Sequence, residues 1–217
     1  MKKFPTIMNK PFIPYVVPFL LLFIFIYLAP ALNISKGLAY PIQTICLAGA
    51  LLYFRHAYKN EIKPVFDLPA ILAGVLVFVI WVLPEGYYPE IGASQFNPYD
   101  YGSGWAIYVL IGFRMAGAVL VIPLMEELFW RSFAMRFLIH EDFGSVPLGS
   151  FTWGSFIIVS IAFGFEHHQW LPGIIAGMIY AGVLYRTKNL FSPILSHAVT
   201  NLLLGIYVLM TSKWAFW

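Results

Sequence analysis

The segment 125–131 places two carboxylates and a guanidinium inside an otherwise apolar stretch. An ionisable side chain in a membrane segment is costly and usually faces a bundle interior or a water-filled cavity. Glu127 and Arg131 are four residues apart, so on a helix they form an ion pair with the acid in the favourable N-terminal position. Glu126 is rotated by about 100° from Glu127 and has no such local partner. The pattern predicts a functional carboxylate at Glu126, although a helix start with an ion pair and a spare acid would also produce it.

Two histidines and an asparagine follow at helical spacing. His167 lies four residues after Phe163, and His197 lies four residues before Asn201. Each pair therefore shares one helix face. A single histidine in a membrane helix is often no more than a partner of a main-chain carbonyl, but two histidines, an amide and an unpaired acid together indicate a site.

These side chains have the chemistry for amide hydrolysis. Glu126 would take a proton from water as general base, and His167 would hold that water or share the proton. Asn201, together with His197, would donate hydrogen bonds to the oxyanion of the tetrahedral intermediate. A covalent nucleophile has little support, because no Gly-x-Ser-x-Gly elbow occurs and the single cysteine, Cys46, is far from the polar cluster in the sequence.

Metal binding is the competing explanation of the same residues. Glu126, His167 and His197 could hold a divalent metal such as zinc with an open position for water, but the usual His-Glu-x-x-His helix is absent. If Glu126 were a ligand, another base would be needed. The sequence leaves both a metal-free site and a metal site open.

The composition of the chain predicts that transmembrane helices position these residues. Of 217 residues, 60% are hydrophobic and 11% are charged, which excludes an ordinary soluble domain. We expect an all-α transmembrane bundle of about eight helices, and residues 1–217 form a single integral-membrane domain because no repeat or linker occurs. The net charge of +3 is not gathered into a basic patch, so no nucleic-acid partner is expected.

The apolar runs predict where the helices lie. We expect them at about 12–32, 38–54, 67–84, 104–122, 123–139, 150–167, 171–186 and 191–211. A turn near Pro123 is preferred, because a single crossing over 104–139 would tend to place Glu126 and His167 at opposite membrane faces. Gly173, Gly177 and Ala181 form a small-residue stripe that lets helices approach closely.

Charges in the loops predict the orientation. The positive-inside rule places the amino terminus and the loop after the second span in the cytoplasm, because they carry Lys2, Lys3, Lys10, Arg55, Lys59 and Lys63. The basic-free loop 85–103 then lies outside. Arg114 falls in the middle of a span, where we expect it to pair with an acid of the site or with Glu166 rather than to snorkel to the interface.

Three motifs in order resemble the signatures of the CAAX-protease and bacteriocin-processing family, also called the Abi or type II CAAX prenyl endopeptidase family. They are Glu126-Glu127-x-x-x-Arg131, Phe163-x-x-x-His167 and His197-x-x-x-Asn201, and the resemblance covers about 104–205. It implies a helical intramembrane endopeptidase in which the first glutamate activates water, the second glutamate and the arginine support it, and the histidines and the asparagine complete the site. Family members have been described both as metalloproteases and as glutamate-dependent hydrolases.

Details of the motifs are most similar to the bacterial branch associated with exosortase and PEP-CTERM sorting. Trp130-Arg131-Ser132 stands where many family members have Phe-Arg-Gly. This resemblance implies a membrane-anchored protein or peptide as substrate, and a multi-pass protein of the bacterial inner membrane.

Two other functional classes remain compatible with the sequence. Intramembrane Glu, His and Arg also form relays in small proton-coupled transporters, although matching halves with interrupted spans are not found here. A non-catalytic membrane binder is the other alternative, and it would tolerate Glu126→Gln.

Overall fold

The computed structural model describes residues 10–92 and 95–217. Eight helices follow one another in these ranges: α1 (Ile13–Ala31), α2 (Lys36–Tyr53), α3 (Arg55–Tyr58), α4 (Leu68–Val82), α5 (Trp105–Phe137), α6 (Trp153–Phe165), α7 (Trp170–Thr187) and α8 (Phe191–Thr211). Strands are absent from the described residues. The predicted all-α class with about eight helices is confirmed. By length and composition, α1, α5 and α8 could cross a membrane, and α4 and α6 are apolar but shorter.

The predicted turn near Pro123 is wrong, because α5 is one continuous helix of 33 residues. A proline removes one main-chain donor and collides with the carbonyl four residues earlier. Here the chain winds as a π-helix over Gly117–Val121, directly before the proline. The wider turn accommodates the proline ring without ending the helix. Residues 104–122 and 123–139 therefore do not form two helices.

Glu126 and His167 nevertheless meet, because α6 is short. Its 13 residues are about 20 Å long, less than the roughly 30 Å hydrocarbon core. Glu126 is eleven residues, about 16 Å, from the end of α5 at Phe137. The chain leaves α6 at a similar depth, so a single crossing by α5 does not separate the two side chains.

Glycines allow the helices around the site to approach closely. The predicted small-residue stripe on α7 packs against α6: a Cβ on Gly173 would lie 2.9 Å from the Cα of Gly164, and one on Gly177 would lie 3.1 Å from the Cα of Ser160. On α4, a Cβ on Gly74 would collide with the carbonyl of Ser196 on α8. These contacts hold α4, α6, α7 and α8 as one packed group, in line with the role of small residues in membrane helix packing.

One end of the bundle, which we call the basic end, joins the loops after α3, α5 and α7. Leu190 donates its main-chain N–H to the Glu61 carbonyl, and the Lys188 ammonium donates to the Gly149 carbonyl. Arg136 at the end of α5 forms an ion pair of 2.6 Å with Glu61. The loops after α5 and α7 therefore lie at the same end as the loop after α3, which a turn near Pro123 would not have given.

The opposite end, which we call the aromatic end, joins the other loops. Lys36 donates to the Gln95 carbonyl over 2.9 Å, and Ile91 donates its N–H to the His168 carbonyl over 2.9 Å. Near the carboxyl terminus, Lys213 is ion-paired with Glu85. The loop between α4 and α5 thus covers the α6–α7 connection that carries His167 and His168.

Candidate active site

Four predicted catalytic residues line a single cavity of about 300 Å³. Glu126 comes from α5, His167 directly follows α6, and His197 and Asn201 lie one turn apart on α8. The Glu126 and His197 side chains are almost completely buried, at 4% and 5% exposure. Three separate parts of the chain therefore deliver a carboxylate, two imidazoles and an amide to the same space.

Glu127 lies behind the cavity and holds two other site residues. Its Oε2 is 3.2 Å from Nε of Arg131, which confirms the i, i+4 pair expected from the sequence. Its Oε1 is 3.1 Å from Nδ1 of His197. Glu127 is fully buried, so this carboxylate is desolvated, and its neighbours are the Arg131 guanidinium and the His197 ring rather than bulk water. Its position fits orientation of His197 rather than contact with a substrate.

Arg131 is enclosed on its other sides by aromatic rings. Its guanidinium lies 4.2 Å from the ring centroid of Phe163 and 5.5 Å from that of Tyr180. One terminal nitrogen donates to the Gly177 carbonyl over 3.3 Å. Cation–π contacts of this kind are worth about 2 kcal/mol when desolvated. Arg131 therefore connects α5 to α6 and α7 and keeps Glu127 in place.

The Nε2 atom of His197 faces the Glu126 carboxylate. Nε2 is 3.9 Å from Oε2 of Glu126, which is too long for a direct hydrogen bond. Oε2 of Glu126 has no hydrogen-bond partner in the described part of the chain. The His197 ring stacks on Tyr180 at 4.9 Å, which fixes the ring plane. A water or a substrate oxygen beside these two atoms could bond to both of them.

His167 is fixed in a similar way. Its Nδ1 is 2.8 Å from the carbonyl oxygen of Phe163, one turn earlier. An acceptor at Nδ1 selects the tautomer that leaves Nε2 without a proton. The imidazole also contacts the Trp81 ring edge-on at 5.2 Å. His167 can thus offer an unprotonated nitrogen to the cavity.

Asn201 is held by the π-wound part of α5. Its amide nitrogen donates to the carbonyl of Ala118 over 2.7 Å. Ala118 lies within the segment Gly117–Val121, where the ordinary α-helical bonding is rearranged. One of the two amide hydrogens is used in this bond, and the other remains for a ligand.

The carboxylate and the imidazoles of the cavity resemble a metal site only in part. Nδ1 of His167 and Nδ1 of His197 each have an acceptor, which is the usual outer-shell arrangement of metal-binding histidines. However, the described residues contain no group of three His, Cys, Asp or Glu side chains that could hold a metal ion. Glu126, His167 and His197 as placed do not fit a three-ligand site.

Two cavity residues, Glu166 and Arg114, have roles that the sequence did not predict. Glu166, which was not among the site residues predicted from the sequence, lines the cavity and accepts a 2.9 Å hydrogen bond from Nε1 of Trp130. Trp130 is four residues after Glu126, and this spacing could have indicated a shared helix face. The expected pairing of Arg114 with an acid is wrong for the described residues, since its guanidinium lies over the rings of Tyr40 and Trp217 at 4.6 and 5.8 Å.

Comparison with known protein families gives a match to the second half of the chain. A family model described as "Type II CAAX prenyl endopeptidase Rce1-like" matches residues 108–203, which hold all three motifs. No curated protein and no solved structure matches the chain. The resemblance predicted from the motifs is confirmed for this region. The match and the apolar helices indicate an integral membrane protein whose second half is similar to CAAX-type endopeptidases.

Proposed function

We propose that this chain, whose residues 108–203 match the type II CAAX prenyl endopeptidase family, is an intramembrane endopeptidase that uses water activated by Glu126. The observation that carries the proposal is the convergence of Glu126, His167, His197 and Asn201 on one cavity inside an apolar bundle. Ionisable groups are rarely retained in such surroundings without a function. The substrate would be a membrane-anchored protein or peptide.

Glu126 is suited to the role of general base. Its Oε2 has no hydrogen-bond partner among the described residues and lies across a 3.9 Å gap from His197. A water beside both groups would give a proton to Glu126 while its oxygen attacks the peptide carbonyl. As the C–N bond breaks, Glu126 returns the proton to the leaving nitrogen. The products are a carboxylic acid and an amine, so the carboxylate is regenerated.

Asn201 and His197 are suited to stabilising the tetrahedral intermediate. The second amide hydrogen of Asn201 can donate to the oxyanion, and His197 can donate from Nε2 when it carries a second proton. The Glu127 carboxylate lies 3.1 Å from Nδ1 of His197 and so orients Nε2 toward the cavity. Donors held in place before the reaction are worth about 3 kcal/mol each in known hydrolases. His167, with Nε2 unprotonated, would hold the attacking water.

The orientation and the cellular setting are part of the same proposal. The basic end carries Lys10, Arg55, Lys59, Lys63 and Lys188, so the positive-inside rule favours a cytoplasmic amino terminus. The resemblance of the motif residues to the bacterial exosortase-associated branch supports a location in the bacterial inner membrane. There, proteins sorted by carboxy-terminal membrane anchors are candidate substrates.

A comparison of membrane proteomes tests the proposal. We expect one precursor to accumulate in cells that carry Glu126→Gln in place of the wild-type chain, with equal amounts of both proteins inserted in the membrane. Glu141→Gln, which alters an exposed loop acid, is the matched control and should process normally. Normal processing by the Glu126→Gln strain would remove Glu126 from the mechanism, and it would support the non-catalytic binder.

A further inference from the structure

The cavity continues from Glu126 to a second polar group, Arg114. Residues at helical spacing line it on α2 (Tyr40, Thr44 and Leu47) and on α8 (His197, Asn201 and Leu204), together with the α5 face between Arg114 and Glu126. Spacings of three, four and seven residues describe one face of each helix. The cavity is therefore elongated along the helices, with Glu126 toward one end and Arg114 toward the aromatic end.

The π-helical segment brings Arg114 and Glu126 onto the same face. Twelve residues of regular α-helix would leave them about 120° apart. The π-wound turn Gly117–Val121 lies between them and takes up roughly one extra residue. Their separation then corresponds to about eleven α-helical residues, close to three complete turns. Both side chains consequently point into one cavity.

Arg114 has no anionic partner in the described structure. Its contacts are the Tyr40 and Trp217 rings, and its Nε is buried without a hydrogen-bond partner. None of the ion pairs of the described residues includes it. A guanidinium presents paired N–H groups that match a carboxylate or a phosphate. A partly buried cation of this kind in an otherwise largely apolar cavity is suited to an anion supplied by a ligand.

We infer that Arg114 is an anion-binding subsite of the proposed peptidase, which takes a carboxylate or phosphate oxygen group while the peptide is cleaved beside Glu126. Only the statement that the bound peptide is cleaved beside Glu126 depends on the proposed function. Anion binding at Arg114 can be measured without cleavage. Gln43 and Thr44 line the cavity between the two ends and can bond the main chain of an extended peptide.

The geometry also limits the distance between the anion and the cleaved bond. Twelve residues of helix rise about 18 Å, and an extended peptide advances about 3.3 Å per residue. Roughly five peptide residues in extended conformation therefore span the distance from the scissile bond to an anionic group at Arg114.

Binding to the catalytically inactive Glu126→Gln protein in phosphatidylcholine vesicles is the direct test. The probes are two pairs of N-palmitoylated peptide pools. The members of the first pair end in a free carboxylate or in an amide. Both members of the second pair end in an amide, and they carry Asp or Asn near that end. We expect the anionic member of at least one pair to bind about tenfold to a hundredfold more tightly, as for a hydrogen-bonded charge pair. Adding Arg114→Gln should bring the ratio to about one, and Arg114→Lys should retain part of it. Arg55→Gln, at the basic end, should leave the ratio unchanged.

Anionic lipid is the other source of the same chemistry. If phosphatidylglycerol supplies the anion, it should be enriched on the purified protein with Arg114 and lost with Arg114→Gln, while both members of each peptide pair bind equally. The inference is overturned if the Arg114→Gln substitution changes neither the binding of anionic peptides nor the enrichment of phosphatidylglycerol. Absence of cleavage by the wild type, with anion-selective binding intact, would instead overturn the proposed function alone.

Discussion

At the scale of single residues, two neighbouring glutamates have different environments. Glu126 faces the cavity and its Oε2 has no hydrogen-bond partner in the described ranges, whereas Glu127 is held by Arg131 and His197. The register of the sequence predicted this difference, because i, i+4 spacing depends only on helix geometry. The contact between Glu127 and His197 joins residues 70 positions apart. Nothing in the local pattern indicates such a contact, so the partner of Glu127 on its own helix was predictable and its contact with His197 was not.

The difference predicts that two conservative substitutions both stop cleavage but differ in their effect on stability. Glu127→Gln removes one charge of a fully buried pair, so we expect about 3–5 kcal/mol of destabilisation together with loss of cleavage. Glu126→Gln should abolish cleavage with little change in stability, since no hydrogen bond of Oε2 is lost. Thermal unfolding of both variants in detergent, alongside proteolysis assays, checks this. A Glu127→Gln protein as stable as wild type would show that the buried pair contributes nothing.

At the scale of elements, α5 differs most from the sequence prediction. Pro123 predicted a turn, but the π-wound segment before it keeps the helix continuous. Propensity rules treat proline as a helix breaker and contain no term for a wider turn that relieves the clash. The glycine stripe on α7 was predictable, because small residues at a spacing of four typically allow close packing of membrane helices.

Gly164 on α6 provides a test of close helix packing. A Cβ at this position would lie 2.6 Å from the main-chain nitrogen of Ile174 and 2.7 Å from the carbonyl oxygen of Trp170. Backbone atoms cannot give way, so Gly164→Ala should cost about 1–3 kcal/mol and lower cleavage by displacing His167. Gly154→Ala on the same helix is the control, because no atom lies within 4 Å of its added methyl group. Equal unfolding temperatures for the two variants would contradict the packing described here.

The ion pair between Asp67, which caps α4, and Arg186 on α7 predicts that the stability of the fold depends on pH. Burial raises the pKa of Asp67, but hydrogen bonds from Arg186 and the Ala70 amide outweigh it and hold the pKa below its ordinary value. A lowered pKa stabilises the fold above the unfolded pKa of about 3.9, and this contribution is lost as the pH falls through the folded pKa. Asp67→Asn keeps a helix-capping side chain. It should destabilise by at most about 1 kcal/mol at pH 7, because Arg186 is half exposed. The difference should vanish in unfolding experiments at lower pH, and a constant difference would contradict the assignment.

At the scale of the whole molecule, the order of apolar runs predicted the bundle well, because membrane helices need long uninterrupted apolar segments. The side on which each loop lies was not predictable after α4, since it depended on whether α5 crosses once or turns. The structure has one crossing, with the loops after α3 and α5 at the same end. The polar site still forms because α6 is shorter than a full span.

Single-cysteine labelling tests this arrangement. In a Cys46→Ser background, Lys59→Cys and Glu141→Cys should react with a membrane-impermeant thiol reagent from the same side, and Tyr87→Cys from the opposite side. All three positions are exposed in loops or at a helix end. Reaction of positions 59 and 141 from opposite sides would restore the turn near Pro123 and refute the continuous α5.

The most direct test of the central claim is cleavage by purified protein in lipid vesicles. Wild type, Glu126→Gln and the loop control Glu141→Gln would be incubated with a pool of membrane-anchored peptides, and new termini would be identified by mass spectrometry. We predict that wild type and Glu141→Gln produce the same cleavages, and that Glu126→Gln, folded to the same unfolding temperature, produces none. Cleavage by Glu126→Gln at the wild-type rate would contradict the claim that this carboxylate activates water in a cavity within the membrane.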